Sequence, residues 1–265
     1  MDLLAALTAR RSFAGPVALV AAHPDDETIG AGASLRLLPG LLLAHVTDGA
    51  PRNLADARAA GFGSGAEYAA ARRRELARAL AEGGADPAMA ELGAPDQEAS
   101  LRMAELARAL AAQLDRHGAE AVIAHPYEGG HPDHDAACFI AHAACALLGG
   151  RPIVEMASYH AAPDGGMEIG RFLPNGAAPA VVALMPAEQA AKRAMLDAFA
   201  TQRRTLRPFG VTREAFRPAP SYDFAAPPHP GTLHYERHDW GMTGPRWREL
   251  AAEGLAALGL ARCAA

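Results

Sequence analysis

The sequence is poor in cysteine and nearly devoid of lysine, with Lys192 the single lysine among 25 basic residues. Its three cysteines are Cys138, Cys145 and Cys263, and no two of them form a CxxC pair. Because an odd number of cysteines without paired spacing cannot build a disulfide framework, a reducing compartment is expected.

Long apolar runs are also absent, since no uninterrupted stretch approaches the roughly 20 residues of a membrane-spanning helix. In residues 1–13 the arginines follow the apolar residues, the reverse of the order in a signal peptide. Basic residues are scattered and the net charge is −5, so no broad surface for nucleic acid is predicted. We therefore expect a soluble, cytoplasmic protein with no membrane span and no nucleic-acid partner.

Apolar residues make up 50% of the chain, enough to form a sizeable core. In the first 150 or so residues, short apolar runs alternate with helical patterns, which is typical of a doubly wound parallel sheet. The predicted strands are 17–22, 41–48, 89–93 and 120–125, and the predicted helices are 27–38, 64–82, 100–116 and 135–148. The fold class expected is therefore α/β, a Rossmann-like, mostly parallel sheet with helices on both faces.

The second half of the chain has a less regular pattern. Strands are predicted at 153–160, 167–172 and 180–185, and helices at 187–201 and 244–260. Residues 205–245 are rich in proline and aromatics and have no clear period. We therefore expect a core over residues 1–200 and a small C-terminal extension, residues 201–265, packed on the same domain.

Two polar clusters follow predicted strands. One is His23-Pro24-Asp25-Asp26-Glu27, and the other is His131-Pro132-Asp133-His134-Asp135. In the strand order 3-2-1-4-5, the first and fourth strands are neighbours at the switch point, where ligands bind beyond the carboxyl ends of strands. Both clusters are therefore expected to face one crevice.

A divalent metal would explain why adjacent carboxylates, which repel one another, are grouped here. His23, Asp26 and His134 supply two imidazoles and one carboxylate, a set that suits catalytic zinc. Asp25 would remain next to the metal as a general base for an attacking water. His131 would face the substrate as an acid or oxyanion stabiliser, with Asp133 orienting its imidazole.

At these residues the sequence resembles the LmbE/PIG-L family of zinc-dependent N-deacetylases. The resemblance is carried by AHPDDE (22–27) and GGHPDHDA (129–136), and it extends over about residues 16–200. RRREL (72–76) resembles the family helix whose arginine lies near the substrate, which maps to Arg72. APDQ (94–97) resembles its P-D-G turn, with Gln97 in place of glycine, and points to Asp96 as a substrate-binding residue.

The resemblance implies zinc on His23, Asp26 and His134, and hydrolysis of an acetamide to acetate and a free amine. The substrate implied is a small N-acetylated aminosugar conjugate, with loops 49–63 and 205–245 expected to select it, and a homo-oligomer is possible. Some family members have a tyrosine just before HPDH that assists the oxyanion. Here Gly129 and Gly130 take that place, and Tyr127 is the nearest aromatic residue.

Alternatives remain open from the residues themselves. Two histidines and a carboxylate also form the facial triad of non-haem Fe(II) oxygenases, so Fe²⁺ or another divalent metal is an alternative to Zn²⁺. A metal-stabilised sugar-binding module without turnover would not need both Asp25 and His131. A dinucleotide-binding oxidoreductase is disfavoured, because its G-x-G-x-x-G would require glycine at Leu35. In the segment 233–242, the aromatic residues could cover the site or pack an oligomer interface.

Overall fold

A computed structural model describes residues 2–260 of the chain. Within them the helices and strands are, in chain order, α1 (Leu3–Thr8), β1 (Val17–Ala21), α2 (Asp26–Ala31), β2 (Leu41–Thr47), α3 (Ala55–Ala59), α4 (Gly65–Gly83), β3 (Ala88–Ala94), α5 (Met103–His117), β4 (Ala121–Ala124), α6 (Pro132–Leu147), β5 (Ile153–Met156), β6 (Tyr159–Ala161), β7 (Met167–Ile169), β8 (Ala180–Ala183), α7 (Pro186–Asp197), α8 (Arg203–Leu206), β9 (Arg213–Pro218) and α9 (Gly244–Leu258).

The central sheet has seven strands in the order β3-β2-β1-β4-β5-β9-β8. Pairing is parallel from β3 through β5 and antiparallel at β9 and β8. The order 3-2-1-4-5 expected for the first five strands is confirmed, and β1 and β4 are neighbours at the switch point. The α/β fold class predicted from the alternating pattern is therefore confirmed.

Helices cover both faces of this sheet, which explains why its inner strands are continuous apolar runs. Alternate residues of β1 enter different cores, since Ala18 and Val20 pack with α5, α6 and α9. Val17 and Leu19 pack on the other face with α1, α4 and α7. All five residues of β1 are buried, so the segment that follows it begins in a rigid interior.

Two helix boundaries near the sheet edge differ from the prediction. The helix α6 begins at Pro132, three residues before the predicted start at residue 135, because His131 caps it and proline fits the first helical turn. The predicted helix 27–38 is shorter, since α2 ends at Ala31 with Gly32 as its cap. Only a 3-10 turn, Leu35–Leu37, follows it.

The later strands were less well predicted. The predicted strand 153–160 is divided into β5 in the main sheet and β6, which pairs with β7 in a two-stranded sheet. The strand β9 was missed because its buried charges, Glu214 and Arg217, conceal its pattern. Glu214 accepts a hydrogen bond from the buried ammonium of Lys192 at 2.9 Å. The division at residue 200 stays a prediction, but the sheet crosses it, since β9 lies between β5 and β8.

Two observations bear on the expected compartment. Between residues 2 and 260, no helix combines the length and apolar character needed to cross a membrane. Cys138 and Cys145 are buried in α6, while Cys263 lies outside the described residues.

Candidate metal centre and active site

Both polar clusters lie at the carboxyl ends of β1 and β4, around one cavity of about 230 Å³. His23, Asp25, Asp26, His131 and His134 all line it. The turn after β1 is tight, and Asp25 has φ 156° and ψ −23°, a sparsely populated region for a residue with a side chain. Backbone strain of this kind is maintained only where the surrounding structure imposes it, and it is concentrated at functional sites.

The three predicted metal ligands are brought together. Ligand atoms of His23, Asp26 and His134 all lie within 4.8 Å of one another. Asp26 is central, with Oδ1 3.1 Å from His134 Nε2 and Oδ2 3.2 Å from His23 Nδ1. Two imidazoles and a carboxylate at this spacing form a donor set that fits a divalent cation such as zinc.

Neighbouring groups orient the histidine from the second cluster. Ser158 Oγ lies 3.3 Å from His134 Nδ1, which leaves Nε2 to face Asp26. The ring of His125 stacks on that of His134 with centroids 4.2 Å apart. Burial lowers the pKa of His134 to about 4, so the imidazole is neutral at neutral pH, the form that binds a metal. His125 therefore packs directly on the predicted metal ligand His134.

A second possible donor set shares His23. Ligand atoms of His23, Asp96 and His131 also lie within 4.8 Å of one another. Burial acts to lower the pKa of His23, but Asp96, Asp133 and Asp26 outweigh it and raise that pKa. A metal at either set would therefore compete with a proton on His23.

Asp25 lies beside the ligands and is held by Arg72. The Arg72 guanidinium donates from Nη2 to Asp25 Oδ2 at 2.8 Å and to the Pro24 carbonyl at 3.0 Å. Its Nη1 donates to the Gly49 carbonyl. Burial raises the pKa of Asp25 to about 7, although the charge of Arg72 opposes this rise. Arg72 lines the cavity, and its direct contact with substrate stays a prediction.

His131 and Asp133 are adjacent, but not in the manner expected. The backbone N–H of Asp133, rather than its carboxylate, contacts His131, donating to Nδ1 at 3.1 Å. The carboxylate lies 3.3 Å from His23 Nε2 and accepts from the backbone N–H groups of Gln97 and Ala99. It therefore fixes the turn that presents Asp96, whose Oδ1 is 3.1 Å from His23 Nε2.

The contact from Asp133 has a consequence for the His131 ring. Because Nδ1 accepts a hydrogen bond, the proton of the neutral ring is on Nε2. Burial lowers the pKa of His131, and the nearby His23 lowers it further. The ring therefore presents one N–H donor.

Two aromatic residues also line the cavity: Tyr159 was not predicted there, whereas Trp240 belongs to the segment 233–242, whose aromatic residues were expected either to cover the site or to pack an interface. Tyr159 lines the cavity, with its ring 5.1 Å from that of His134. Trp240 lines it as well, 4.5 Å from the ring of His131. Tyr127 points elsewhere, since its hydroxyl donates to the Ala226 carbonyl and its ring stacks on Trp247. Nothing in the predicted strand 153–160 distinguished Tyr159 from a packing residue.

Gly130 packs against the backbone of Tyr159, and only glycine fits there. A β-carbon built at Gly130 lies 2.1 Å from the carbonyl oxygen of Tyr159. Any side chain there would push away the start of β6. The Gly129-Gly130 pair that stands before HPDH thus permits Tyr159 to reach the cavity.

Solved structures with this fold include several deacetylases. The zinc-inhibited form of teicoplanin deacetylase Orf2 matches with 18% identity and a TM-score of 0.53, covering 76% of this chain and 97% of that one. The A40926 pseudoaglycone deacetylase Dbv21 matches with 18% identity and a TM-score of 0.58, covering 78% and 97%. The N,N'-diacetylchitobiose deacetylase of Pyrococcus horikoshii matches with 22% identity and a TM-score of 0.52, covering 82% and 87%. At these identities the likeness establishes the fold.

None of the curated proteins matches the chain. The family model described as PIG-L: GlcNAc-PI de-N-acetylase matches residues 18–145, a span that contains both the HPDDE and the HPDH motifs. The resemblance to the LmbE/PIG-L family predicted from those two motifs is therefore confirmed over residues 18–145.

Proposed function

We propose that the protein is a metal-dependent hydrolase that removes an acetyl group from the amide nitrogen of an N-acetylglucosamine-type conjugate. The observation that carries the proposal is the convergence of His23, Asp26 and His134 around one cavity, with Asp25 beside them. The family match supports it, as does the description of the three structural neighbours as deacetylases.

Zinc is the metal proposed for these three residues. When bound, a divalent cation there supplies Lewis acidity, which acidifies a water molecule and polarises an amide carbonyl. The donor set of two imidazoles and one carboxylate supports this choice. Because one structural neighbour is the zinc-inhibited form of a deacetylase, excess zinc is a condition to avoid in assays.

Asp25 is proposed as the general base. Its Oδ2 accepts from Arg72, so one carboxylate oxygen is held while the other can receive the proton of an attacking water. Arg72 is itself fixed by the carbonyls of Pro24 and Gly49. The base is therefore pre-oriented before substrate arrives, which lowers the reorganisation needed in the transition state.

Two hydrogen-bond donors are proposed for the reacting carbonyl. His131 carries its proton on Nε2, since Nδ1 accepts from the Asp133 backbone, and this N–H would stabilise the developing oxyanion, while the proton that Asp25 takes from water would pass to the leaving amine. The hydroxyl of Tyr159 is without a hydrogen-bond partner in residues 2–260, and its ring lines the cavity. It would donate to the oxyanion that develops on the carbonyl.

Amine release from a panel of N-acetylglucosaminyl conjugates tests the proposal. The wild-type protein should release acetate and amine in equal amounts, lose this activity with a chelator, and regain it with one equivalent of Zn²⁺. His134→Ala should lose both bound metal and turnover. His117→Ala is the matched control, because His117 contacts the Gly40 carbonyl away from the cavity.

Three results would contradict the proposal. Chelator-resistant amine release would exclude a metal centre, and unchanged metal content in His134→Ala would exclude this ligand set. Oxygen consumption by anaerobically prepared, Fe²⁺-loaded protein would favour an oxygenase instead.

A further inference from the structure

A second cavity of about 780 Å³ adjoins the proposed active site. Asp56, Gln202 and Thr205 line both cavities, so the two share a boundary. The walls of the larger cavity come from α3, α4 and the segment 200–205. No step proposed above uses it.

The sizes of the two cavities indicate that each would hold a different part of one substrate. Pockets for small molecules usually measure about 300–1,000 Å³, and the site cavity, at about 230 Å³, is below that range. It can hold the reacting amide and part of a sugar. The rest of a conjugate would therefore extend into the adjoining cavity.

The wall of the second cavity is fixed by buried polar contacts. Both carboxylate oxygens of Glu75 are occupied by Thr201, one by its N–H at 3.0 Å and one by its hydroxyl at 2.6 Å. Gln202 donates to the hydroxyl of Tyr68. These contacts hold segment 200–205 against α4, so the side chains on its outer face are presented in a defined position.

Those outer side chains carry positive charge. Arg203 and Arg204 line the cavity and are exposed. Within residues 2–260 neither guanidinium group has an ion pair or a hydrogen bond, in contrast to that of Arg72, which is held by Asp25. Of the two carboxylates that line the cavity, Glu75 is already occupied by Thr201, and Asp56 lies at the boundary with the site. Two guanidinium groups therefore face the cavity without a protein anion to neutralise them.

The cavity also offers aromatic surface. The rings of Phe62 and Tyr68 lie 5.7 Å apart, and both residues line the cavity. The non-sugar part of a conjugate, if it has apolar atoms and an anionic end, would contact both the aromatic rings and the two arginines. Asp56, at the boundary, can accept hydrogen bonds from sugar hydroxyls.

We propose that this cavity is the subsite for the non-sugar part of the conjugate, and that Arg203 and Arg204 select a carboxylate or phosphate carried there. The proposal rests on the deacetylase function proposed above and deepens it by naming a substrate class. Guanidinium groups suit this role, because they pair with carboxylate and phosphate oxygens in a bidentate manner.

The test uses matched pairs of N-acetylglucosaminyl alkyl glycosides, at several chain lengths, ending in a carboxylate or in its methyl ester. At the length that reaches the arginines, kcat/KM should favour the carboxylate about ten-fold through KM, the scale of one charge-assisted hydrogen bond. Arg204→Gln and Arg203→Gln should reduce that preference several-fold, and added salt should weaken it. Arg207→Gln is the matched control, since Arg207 is exposed shortly after this segment and does not line the 780 Å³ cavity, although it lines a smaller cavity that Arg203 also borders.

Direct binding separates this proposal from the deacetylase function. Calorimetry with the chelated protein should give the same preference for the carboxylate glycoside, because the arginines do not contact the metal ligands. If that preference exists and Arg204→Gln removes it, the subsite stands even when no amine is released. Equal affinity for carboxylate and ester at every length, or equal effects of Arg204→Gln and Arg207→Gln, would overturn the subsite whether or not the protein is a deacetylase.

Discussion

Among single residues, Asp25 is the one whose replacement best separates catalysis from metal binding. Its neighbour Asp26 contacts both histidines, whereas Asp25 contacts Arg72. We expect Asp25→Asn to retain its metal but to lose turnover by about 10²–10⁴, the usual contribution of a general base. Asp26→Asn should lower metal content as well. Measured kcat values and metal analysis of both variants check this, and full activity in Asp25→Asn would refute its role as base.

Tyr159 gives a second prediction at this scale. If its hydroxyl donates to the developing oxyanion, Tyr159→Phe should lower kcat by about 10²-fold with little change in KM, as removal of one oxyanion donor does elsewhere. Tyr127→Phe is the control, because the Tyr127 hydroxyl donates to the Ala226 carbonyl outside the cavity. Steady-state kinetics on the released amine distinguish them, and equal kcat values for the two variants would remove Tyr159 from the mechanism.

From the sequence, polar and ionisable residues at the ends of buried strands could be predicted as site residues. Aromatic residues that line the same cavity could not be recognised as readily. His23, Asp26 and His134 were predictable, because buried imidazoles and carboxylates at strand ends need a partner. Tyr159 was not, because an aromatic residue in an apolar segment is as typical of a core as of a binding site, and for Trp240 the sequence left both covering the site and packing an interface open. Their position depends on a loop path that no local pattern encodes.

Among elements, the contact between the β4–α6 loop and β6 determines where Tyr159 lies. A side chain at Gly130 would collide with the Tyr159 carbonyl, so Gly130→Ala should displace β6 and lower kcat by about ten-fold or more. In a Tyr159→Phe background the same substitution should have a much smaller effect, since the hydroxyl it displaces is already gone.

The control for this cycle is Gly210→Ala. An added β-carbon at Gly210 meets no atom within 4 Å, and the backbone there does not have a positive φ. Kinetics of the four variants provide the measurement. Additive effects of Gly130→Ala and Tyr159→Phe would show that Gly130 acts through something other than the tyrosine.

The elements that were predicted correctly share one property. The strands β1 and β4 are continuous apolar runs, β2 is mostly apolar, and all three are buried on both faces, so local composition and tertiary environment agree. In β9 they disagree, because Glu214 is neutralised by Lys192 and Arg217 by Glu155, contacts made by residues distant in sequence. A strand stabilised by such ion pairs cannot be recognised from apolar periodicity alone.

At the scale of the whole molecule, buried carboxyl groups in the β4–α6 loop and in β5 couple stability to pH. Burial raises the pKa of Glu128 to about 8 and that of Glu155 to about 7, although Arg217 acts against both shifts. Groups whose folded pKa is raised stabilise the protein fully below their unfolded pKa, and this stability is lost as pH rises through the folded value. His142 acts in the opposite sense at acidic pH, because burial lowers its pKa to about 4.

The relevant window runs from about pH 6.5, the ordinary pKa of histidine, to about 8, the raised pKa of Glu128, and the comparison of Glu128→Gln with wild type cancels the opposite contribution that histidines make at its lower end. There the free energy of unfolding of the chelated protein should fall by about 1.4 kcal/mol per pH unit for each carboxyl that is protonated only in the folded state. Glu128→Gln mimics the protonated form and should reduce the slope by about one such contribution. The exposed Glu253 on α9 provides the control, as Glu253→Gln. Urea unfolding at several pH values measures the slopes, and the same slope in Glu128→Gln as in wild type would show that Glu128 is ionised in the folded protein at neutral pH.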